Sequence, residues 1–146
     1  MTDSIHCVCP ACHSTNRVPT AKLTQQPVCG HCQAALFTGQ PVNLDADSFK
    51  RHVQRSQLPV VVDFWAPWCG PCQTMAPAFA EAAQRLKDLA QLTKLDTEAF
   101  GQVAAPYGIR SIPTMVVFQE GKEMGRTSGA MPAGDIVRWV ESVLAK

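Results

Sequence analysis

Six of the seven cysteines in this 146-residue chain fall into three Cys-x-x-Cys pairs, which constrain its fold and chemistry more than any other feature. The N-terminus has no basic start followed by an apolar run, and no apolar stretch is long enough to span a bilayer. We therefore expect a cytoplasmic protein, where paired cysteines are typical of metal ligands or redox catalysts rather than structural disulfides. The pairs are Cys9/Cys12, Cys29/Cys32 and Cys69/Cys72, and Cys7 is left over.

The chain divides into two segments with different hydrophobic patterns. Residues 1–38 are dense in Cys, His, Pro, Thr and Gln and show almost no hydrophobic periodicity. A segment of this size cannot bury enough apolar surface to fold unaided, so it needs a covalent or metal crosslink. From Val42 onward the pattern is that of a globular domain. We predict a four-cysteine module at residues 1–38 and a second domain at residues 39–146.

Residues 39–146 alternate short apolar strands with amphipathic helices. The run Val60–Trp65 is typical of a strand buried on both faces, and Asp45 is a candidate N-cap for the preceding helix. Two later strands, separated by residues 120–122, form a predicted hairpin before a terminal amphipathic helix. This order predicts an α/β fold with a mixed central sheet flanked by helices. The predicted strands are 42–44, 60–65, 90–95, 114–119 and 123–127, and the predicted helices begin near residues 45, 69, 98 and 132.

The charge pattern argues against nucleic acid and membranes as partners. The formal net charge is +1, and the basic residues are scattered rather than grouped into a stripe with aromatic residues. A chain without a strong positive field does not recruit polyanions or anionic lipid surfaces.

The third cysteine pair has the context of a redox site. Cys69 directly follows the buried strand and opens a helix. The free N–H groups and the positive dipole end of a helix N-terminus stabilise a thiolate, which is the nucleophilic form. Cys72 lies one turn further along the helix and is recessed toward its interior. This spacing favours attack on a disulfide by Cys69 and resolution of the mixed disulfide by Cys72.

Two segments around this pair resemble thioredoxin. The sequence DFWAPWCGPC, residues 63–72, is similar to the active-site strand and turn of that family, and IRSIPT, residues 109–114, resembles its cis-proline loop. The likeness extends over roughly residues 40–146. It implies a thioredoxin fold, protein-disulfide reductase activity on disulfide-containing clients, and re-reduction by an NADPH-dependent thioredoxin reductase. No dinucleotide-binding fingerprint is present, so no bound organic cofactor is expected.

The resemblance gives roles to two charged residues. Asp63 matches a buried carboxylate that assists proton transfer at the resolving cysteine, and desolvation inside an apolar strand should raise its pKa. The alternative is an aspartate at a strand end in contact with water. Lys94 matches a lysine beside this carboxylate, and the alternative is an ordinary surface lysine.

The resemblance also predicts an apolar rim where clients bind. It implies a cis peptide bond before Pro113, with a trans turn proline as the alternative. Trp65 is interpreted as a core residue beneath the site. The rim residues, any of which could instead serve packing or turns, are Trp68, Gly108, Ile112, Gly129 and Ala130, and Gly70 and Pro71 are expected to support the active site.

The other two cysteine pairs predict a metal site. Cys9, Cys12, Cys29 and Cys32 have the spacing of a four-thiolate centre, for which one structural Zn²⁺ is favoured over iron or two disulfides. This arrangement resembles the zinc-bearing bacterial variety of the thioredoxin family, as a zinc-ribbon-like knuckle. Cys7 is a bystander, an alternative ligand to Cys9 or a redox-sensitive thiol. The module either senses oxidant or zinc, or is a static docking or stabilising element. Its three histidines, His6, His13 and His31, are expected to face solvent.

Two other functions compete with the reductase. One is a disulfide oxidase or isomerase on the same fold, but Gly70-Pro71 is the reducing dipeptide by resemblance. The other is a zinc-ribbon binding protein with a passive scaffold, against which the complete Cys69/Cys72 pair and the charge pattern argue.

Overall fold

The computed structural model describes residues 3–146, so Met1 and Thr2, the first residues of the predicted N-terminal module, lie outside the described part. The strands are β1 Ser4–Val8, β2 Thr15–Pro19, β3 Val42–Leu44, β4 Val60–Trp65, β5 Gln91–Asp96, β6 Thr114–Gln119 and β7 Lys122–Ser128, and the helices are α1 Ala46–Arg55, α2 Gly70–Arg85, α3 Gly101–Ala104 and α4 Ala133–Leu144. A five-stranded sheet has the order β3-β5-β4-β6-β7, in which β3, β5 and β4 are parallel, β6 is antiparallel to β4, and β7 is antiparallel to β6. A separate antiparallel pair, β1-β2, precedes this sheet.

The sheet is covered by helices on both faces, which confirms the predicted α/β fold. Successive side chains of a strand point to opposite faces, so β4 contributes to two cores. Val61 packs with residues of α2 and α4, including Phe79 and Ile136. Val62 and Phe64 pack on the other face with residues of α1, α3 and β6. No helix in residues 3–146 has the length and apolar character needed to cross a membrane.

Helix α1 begins where the sequence predicts. The Asp45 carboxylate accepts a hydrogen bond from the Ser48 backbone N–H at 2.8 Å, and the Ser48 hydroxyl accepts one from the Asp45 N–H, completing a capping box. The apolar face of α1 then places Phe49 against Phe64 and Tyr107 in edge-to-face contacts. The cap fixes where the helix starts, and the aromatic contacts fix which face it buries.

The start of α3 and the hairpin turn differ from the sequence prediction, and β5 lies one residue later than predicted. Helix α3 starts at Gly101 rather than near residue 98, because the Asp96 carboxylate accepts the N–H groups of Glu98 and Ala99 and holds this segment as a turn. The hairpin turn is shorter than predicted. Glu120 and Gly121 alone form it, both with positive φ, and Lys122 already belongs to β7.

The N-terminal segment contains a hairpin, β1-β2, that the sequence analysis missed. Its short strands bury Cys7, Val8 and Val18. A cysteine is not counted as an apolar residue when it is interpreted as a metal ligand, so the alternating pattern of these strands is not apparent in the sequence. The cluster formed by this hairpin and the cysteine turns includes Leu58 from the second domain. Gln57 adds two hydrogen bonds to the backbone of His6, at 2.7 and 2.8 Å. The module therefore packs directly on the segment between α1 and β4.

One of the three N-terminal histidines does not face solvent as expected. His6 and His31 are exposed, whereas His13 is partly buried and its Nδ1 lies 3.1 Å from Nε2 of His52 on α1. His52 is 1% exposed, and burial lowers its pKa to about 4. The neutral His52 ring thus has its hydrogen-bond partner on the cysteine module, which joins the two parts of the chain.

Loss of this partner should destabilise the protein. His13→Asn removes the ring but suits the positive φ of 64° at this position, and it leaves the buried Nε2 of His52 unpaired. We expect a loss of about 1–3 kcal/mol in the free energy of unfolding, measured with urea. His31→Asn, on an exposed residue beside the other cysteine pair, is the matched control and should be nearly neutral. Equal effects of the two substitutions would contradict a special role for His13.

Candidate functional site

The redox pair lies at the N-terminus of α2. Cys69 is the N-cap, and its Sγ accepts a hydrogen bond from the Cys72 backbone N–H at 3.2 Å. Both cysteines are buried and form a disulfide, with Cα atoms 5.2 Å apart. Pro71 stands in the first helical turn, where a backbone donor is not needed. In the reduced protein the same N–H groups and the helix dipole favour a thiolate on Cys69.

Asp63 lies in the middle of β4 with a fully buried carboxyl group. The residue is 1% exposed, and its Oδ1 has no hydrogen-bond partner within residues 3–146. Burial raises the pKa of Asp63 to about 7, an effect that the positive charge of Lys94 partly opposes. The position excludes the alternative of a strand-end aspartate in water. A carboxyl group that titrates near neutrality can both accept and return a proton.

Lys94 is the nearest neighbour of Asp63 on strand β5. The two residues are aligned in the parallel β4-β5 pair. The Lys94 ammonium lies 4.5 Å from the centroid of the Trp65 ring, which is a cation–π geometry. Trp65 lies beside the disulfide as expected, but it is only partly buried rather than a core residue. Lys94 is therefore half-buried and held in place, unlike an ordinary surface lysine.

The loop before β6 faces the redox pair. The Ile112–Pro113 peptide bond is cis, as the resemblance predicts. The carbonyl oxygen of Ile112 lies 3.7 Å from Sγ of Cys69. Gly129, with φ of 100°, donates its N–H to the Pro113 carbonyl at 2.9 Å. Gly129 thus supports the loop through its backbone.

A cleft opens beside this loop and next to the most exposed aromatic residue of the site. Trp68 is 69% exposed and forms one wall. The cleft encloses about 410 Å³, and Ile112 and Gly108 of the predicted rim line it, whereas Gly129 and Ala130 do not. The rim is therefore divided between this cleft and the surface near Gly129. The other lining residues are Thr97, Gly101, Ala104, Ala105, Ile109, Arg110 and Ser111.

The four cysteines of the N-terminal pairs come together as one group. The ligand atoms of Cys9, Cys12, Cys29 and Cys32 all lie within 4.8 Å of one another. Sγ–Sγ distances are 3.6 Å for Cys9–Cys32 and 3.7 Å for Cys12–Cys29. A tetrahedral metal with bonds of about 2.3 Å to sulfur needs edges of about 3.8 Å, so the geometry fits such an ion.

Electrostatics also favour a cation in this group. Hydrogen bonds from the Cys32 N–H, the Asn16 side chain and the His31 N–H outweigh burial and lower the pKa of Cys29 to about 6. Although a backbone hydrogen bond to Ala34 favours its thiolate, burial and the neighbouring thiols raise the pKa of Cys32 to about 12. Four sulfurs this close cannot all ionise without a compensating positive charge.

Cys7 lies apart from the metal-binding group. It belongs to β1, is buried among apolar side chains, and burial raises its pKa to about 11. The group therefore contains Cys9, not Cys7, which removes the alternative-ligand interpretation. A buried thiol with a raised pKa is also a poor nucleophile.

Sequence reasoning missed several supporting side chains. Asn16 accepts the Gly30 N–H through Oδ1 and donates to Sγ of Cys29 through Nδ2. Thr114 donates its hydroxyl to the Ser111 carbonyl at 2.6 Å and lies 2.9 Å from the Ser128 hydroxyl. Apart from the bond between Thr114 and Ser111, these contacts join residues 13 or 14 positions apart, and no local sequence pattern signals such a partner.

Comparison with known proteins gives consistent matches. Residues 40–142 match the family model described as Thioredoxin, and residues 8–34 match the zinc-ribbon model described as Thioredoxin 2, N-terminal. Thioredoxin C-3 of Corynebacterium nephridii is 40% identical over 137 residues, covering 94% of each chain. The M-type chloroplastic thioredoxin of Chlamydomonas reinhardtii is 41% identical, covering 87% of this chain and 93% of its own.

Solved structures show the same relationship. The crystal structure of thioredoxin F from spinach chloroplast has a TM-score of 0.67 at 28% identity, covering 74% of this chain and 89% of its own. The Malassezia sympodialis thioredoxin has a TM-score of 0.63 at 31% identity, covering 71% and 92%.

Burial of Asp63 should make stability depend on pH. Because its pKa rises from 3.8 unfolded to about 7 folded, the folded state keeps a proton that the unfolded state loses between these values. The stabilisation of the folded state by protonated Asp63 is complete below about pH 4, and the free energy of unfolding falls by about 4 kcal/mol as the pH rises to 7. Asp63→Asn should abolish the decline, so the variant gains stability relative to the parent as pH rises.

Urea unfolding of the oxidised protein at pH 5, 6, 7 and 8 measures this difference. Asp47→Asn, on the exposed start of α1, is the control and should follow the parent profile. Parallel profiles for the parent and Asp63→Asn would show that the Asp63 carboxyl titrates as in water.

Proposed function

Because the chain belongs to the thioredoxin family and is a protein-disulfide reductase, we propose that Cys69 is its attacking thiol and Cys72 its resolving thiol. The observation that carries this assignment is the position of Cys69 as the N-cap of α2, with its sulfur facing the Cys72 N–H. That position favours the thiolate, and the Ile112 carbonyl and Trp68 flank it. Gly70-Pro71 between the cysteines supports reduction rather than oxidation or isomerisation.

The reaction proceeds in two exchange steps. The Cys69 thiolate attacks one sulfur of a client disulfide, forming a mixed disulfide and releasing the other client sulfur as a thiolate. Cys72 then attacks the Cys69 sulfur, so that the Cys69–Cys72 disulfide forms and the second client thiolate leaves. Two electrons pass to the client, and the oxidised pair is the state that the structure contains.

Asp63 serves as proton acceptor for Cys72 in this proposal. A buried carboxyl group with a pKa of about 7 can take the proton that Cys72 must lose before it attacks. Lys94 stabilises the ionised form of Asp63 and so prepares it for this step.

The rim is proposed to hold the client segment around its disulfide. Trp68 and Ile112 offer apolar contact, and the backbone beside Pro113 offers an extended edge for hydrogen bonds. Gly129 keeps this edge in position through its bond to Pro113. Such contacts recognise the backbone and the shape of the client segment rather than its side chains, so clients of different sequence can bind.

A reductase of this kind needs an electron donor and a reducing environment. We assign the re-reduction of the Cys69–Cys72 disulfide to an NADPH-dependent thioredoxin reductase, with the flavin and nicotinamide chemistry on that partner. The cytoplasm is the proposed compartment, because free thiols in such number persist where thiols are kept reduced. Nucleic acids and membranes are not proposed as partners.

The N-terminal module is proposed to hold one structural Zn²⁺ through Cys9, Cys12, Cys29 and Cys32. Zinc suits a closed set of four thiolates and takes no part in the exchange steps. When bound, it would neutralise the thiolates and crosslink two turns that have little apolar core of their own. The proposed boundary between this module and the reductase domain lies between residues 38 and 39.

The two redox cysteines should give distinct phenotypes. Cys69→Ser should abolish NADPH oxidation in an insulin-reduction assay with thioredoxin reductase, because no attacking thiol remains. Cys72→Ser should also stop turnover but trap a mixed disulfide with the client, visible on non-reducing gels and by mass. Trapping by Cys69→Ser instead would reverse the assigned roles.

The proposed ligand set has a matched control within the same module. Cys32→Ser should lower bound zinc, measured by elemental analysis after gel filtration, to less than about a tenth of the parent ratio of one ion per chain. Cys7→Ser should keep the full ratio, because Cys7 lies outside the group. Zinc loss in Cys7→Ser with retention in Cys32→Ser would contradict this ligand set.

A further inference from the structure

Trp65 occupies the junction between the redox disulfide and the buried acid. It is the last residue of β4, two positions after Asp63, so both side chains leave the strand on the same face. Its ring packs against the cluster of Ala66, Cys69 and Cys72. Thr97 donates both its N–H and its hydroxyl to the Trp65 carbonyl, at 2.8 and 3.0 Å. The backbone of Trp65 is therefore fixed, and its ring has a defined place.

The face of this ring carries the Lys94 ammonium group. Nζ lies 4.5 Å from the ring centroid, well inside the distance of about 6 Å at which a cation and an indole attract each other. Indole is the strongest of the aromatic partners for a cation. Lys94 is also aligned with Asp63 in the sheet, so the same lysine neighbours both the ring and the acidic residue.

The carboxyl group itself is not captured by the lysine. Oδ1 of Asp63 lacks a hydrogen-bond partner within the described chain, although the charge of Lys94 acts on this carboxyl. A direct ion pair would occupy the oxygens that must accept a proton. An ammonium group bound to the ring supplies its field and leaves the carboxyl oxygen free.

We propose that Trp65 is a positioning residue, whose indole ring holds the Lys94 ammonium beside Asp63 so that the carboxylate is stabilised yet free to accept the Cys72 proton. This inference rests on the proposed roles of Asp63 and Cys72. In the resolving step the Cys72 thiol gives its proton to the Asp63 carboxylate. The resulting thiolate bonds to the Cys69 sulfur, and the bond from Cys69 to the client sulfur breaks with its electron pair on the client.

Few other charges act around this arrangement. On β5, Lys94 and Asp96 are the ionisable residues, and the Asp96 carboxylate is bound to the N–H groups of Glu98 and Ala99. Strand β3 places Asn43 beside Lys94, and β6 places Met115 beside Asp63. Helix α2 contributes the Cys69–Cys72 pair. From the loop before β6, Arg110 lines the cleft beside Trp68. Lys94 is therefore the cation whose placement Trp65 can control.

A double-mutant cycle tests this coupling in the full-length reduced protein. Trp65→Leu and Trp65→Phe are each made alone and with Lys94→Met, and the Asp63 carboxyl is titrated by carbon-13 NMR. We expect Trp65→Leu to raise the pKa of Asp63 by about 0.5 to 1, because the released lysine extends into water, where its field is screened. Trp65→Phe, which keeps a weaker aromatic face, should raise it less. With Met at position 94, neither Trp65 substitution should move it further.

The pH dependence of client reduction by the same proteins should shift with the Asp63 titration. An equal pKa change in both backgrounds would show that Trp65 acts through packing alone and would overturn the proposal. So would no change in either background, or a fall in the pKa of Asp63 on Trp65→Leu. Failure of the proposed function is separate, because it appears as absent turnover in the parent chain, whereas the titration needs no turnover.

Discussion

The burial of β4 at the centre of the sheet is the constraint on which the rest of the structure depends. One face of this strand packs under α1 and the other under α2 and α4. Asp63 has the same parity as Val61 and so points to the α2 side, where its carboxyl group is buried. The turn that follows β4 also places Cys69 at the N-terminus of α2. The position of this one strand therefore fixes the positions of Asp63, Trp65 and Cys69 relative to one another.

Three sites show how the molecule accommodates ionisable groups whose charge is costly. Asp63 has a cation at a distance and takes a raised pKa. His52 stays neutral and finds a hydrogen-bond partner in His13. The four clustered thiols accept hydrogen bonds from nearby N–H groups, but they lie too close together for all four to ionise without a bound cation. Asp63 can therefore exchange a proton near neutral pH, whereas the four thiols ionise together only when a cation is bound.

Sequence reasoning succeeded where the signal is local. The Asp45 cap, the apolar run of β4 and the helix opened by Cys69 depend on neighbours a few residues away, and the structure confirms all three. It failed at β1-β2, because the cysteines of this segment were interpreted as ligands or bystanders, whereas Cys7 packs as an apolar side chain of the hairpin. It also failed at the start of α3, where the Asp96 side chain competes with the helix for backbone donors.

The sequence by itself determined the order of strands and helices from Val42 onward, the helix-terminal position of Cys69 and the spacing of the four clustered cysteines, because each follows from residues close together in the chain. Only the tertiary structure decided that His13 meets His52, that Lys94 rests on Trp65 and that Cys7 stands outside the thiol group. These contacts join different secondary-structure elements. The geometry of these contacts depends on how buried surfaces pack against one another, and it cannot be inferred from the pattern of residue types along the chain.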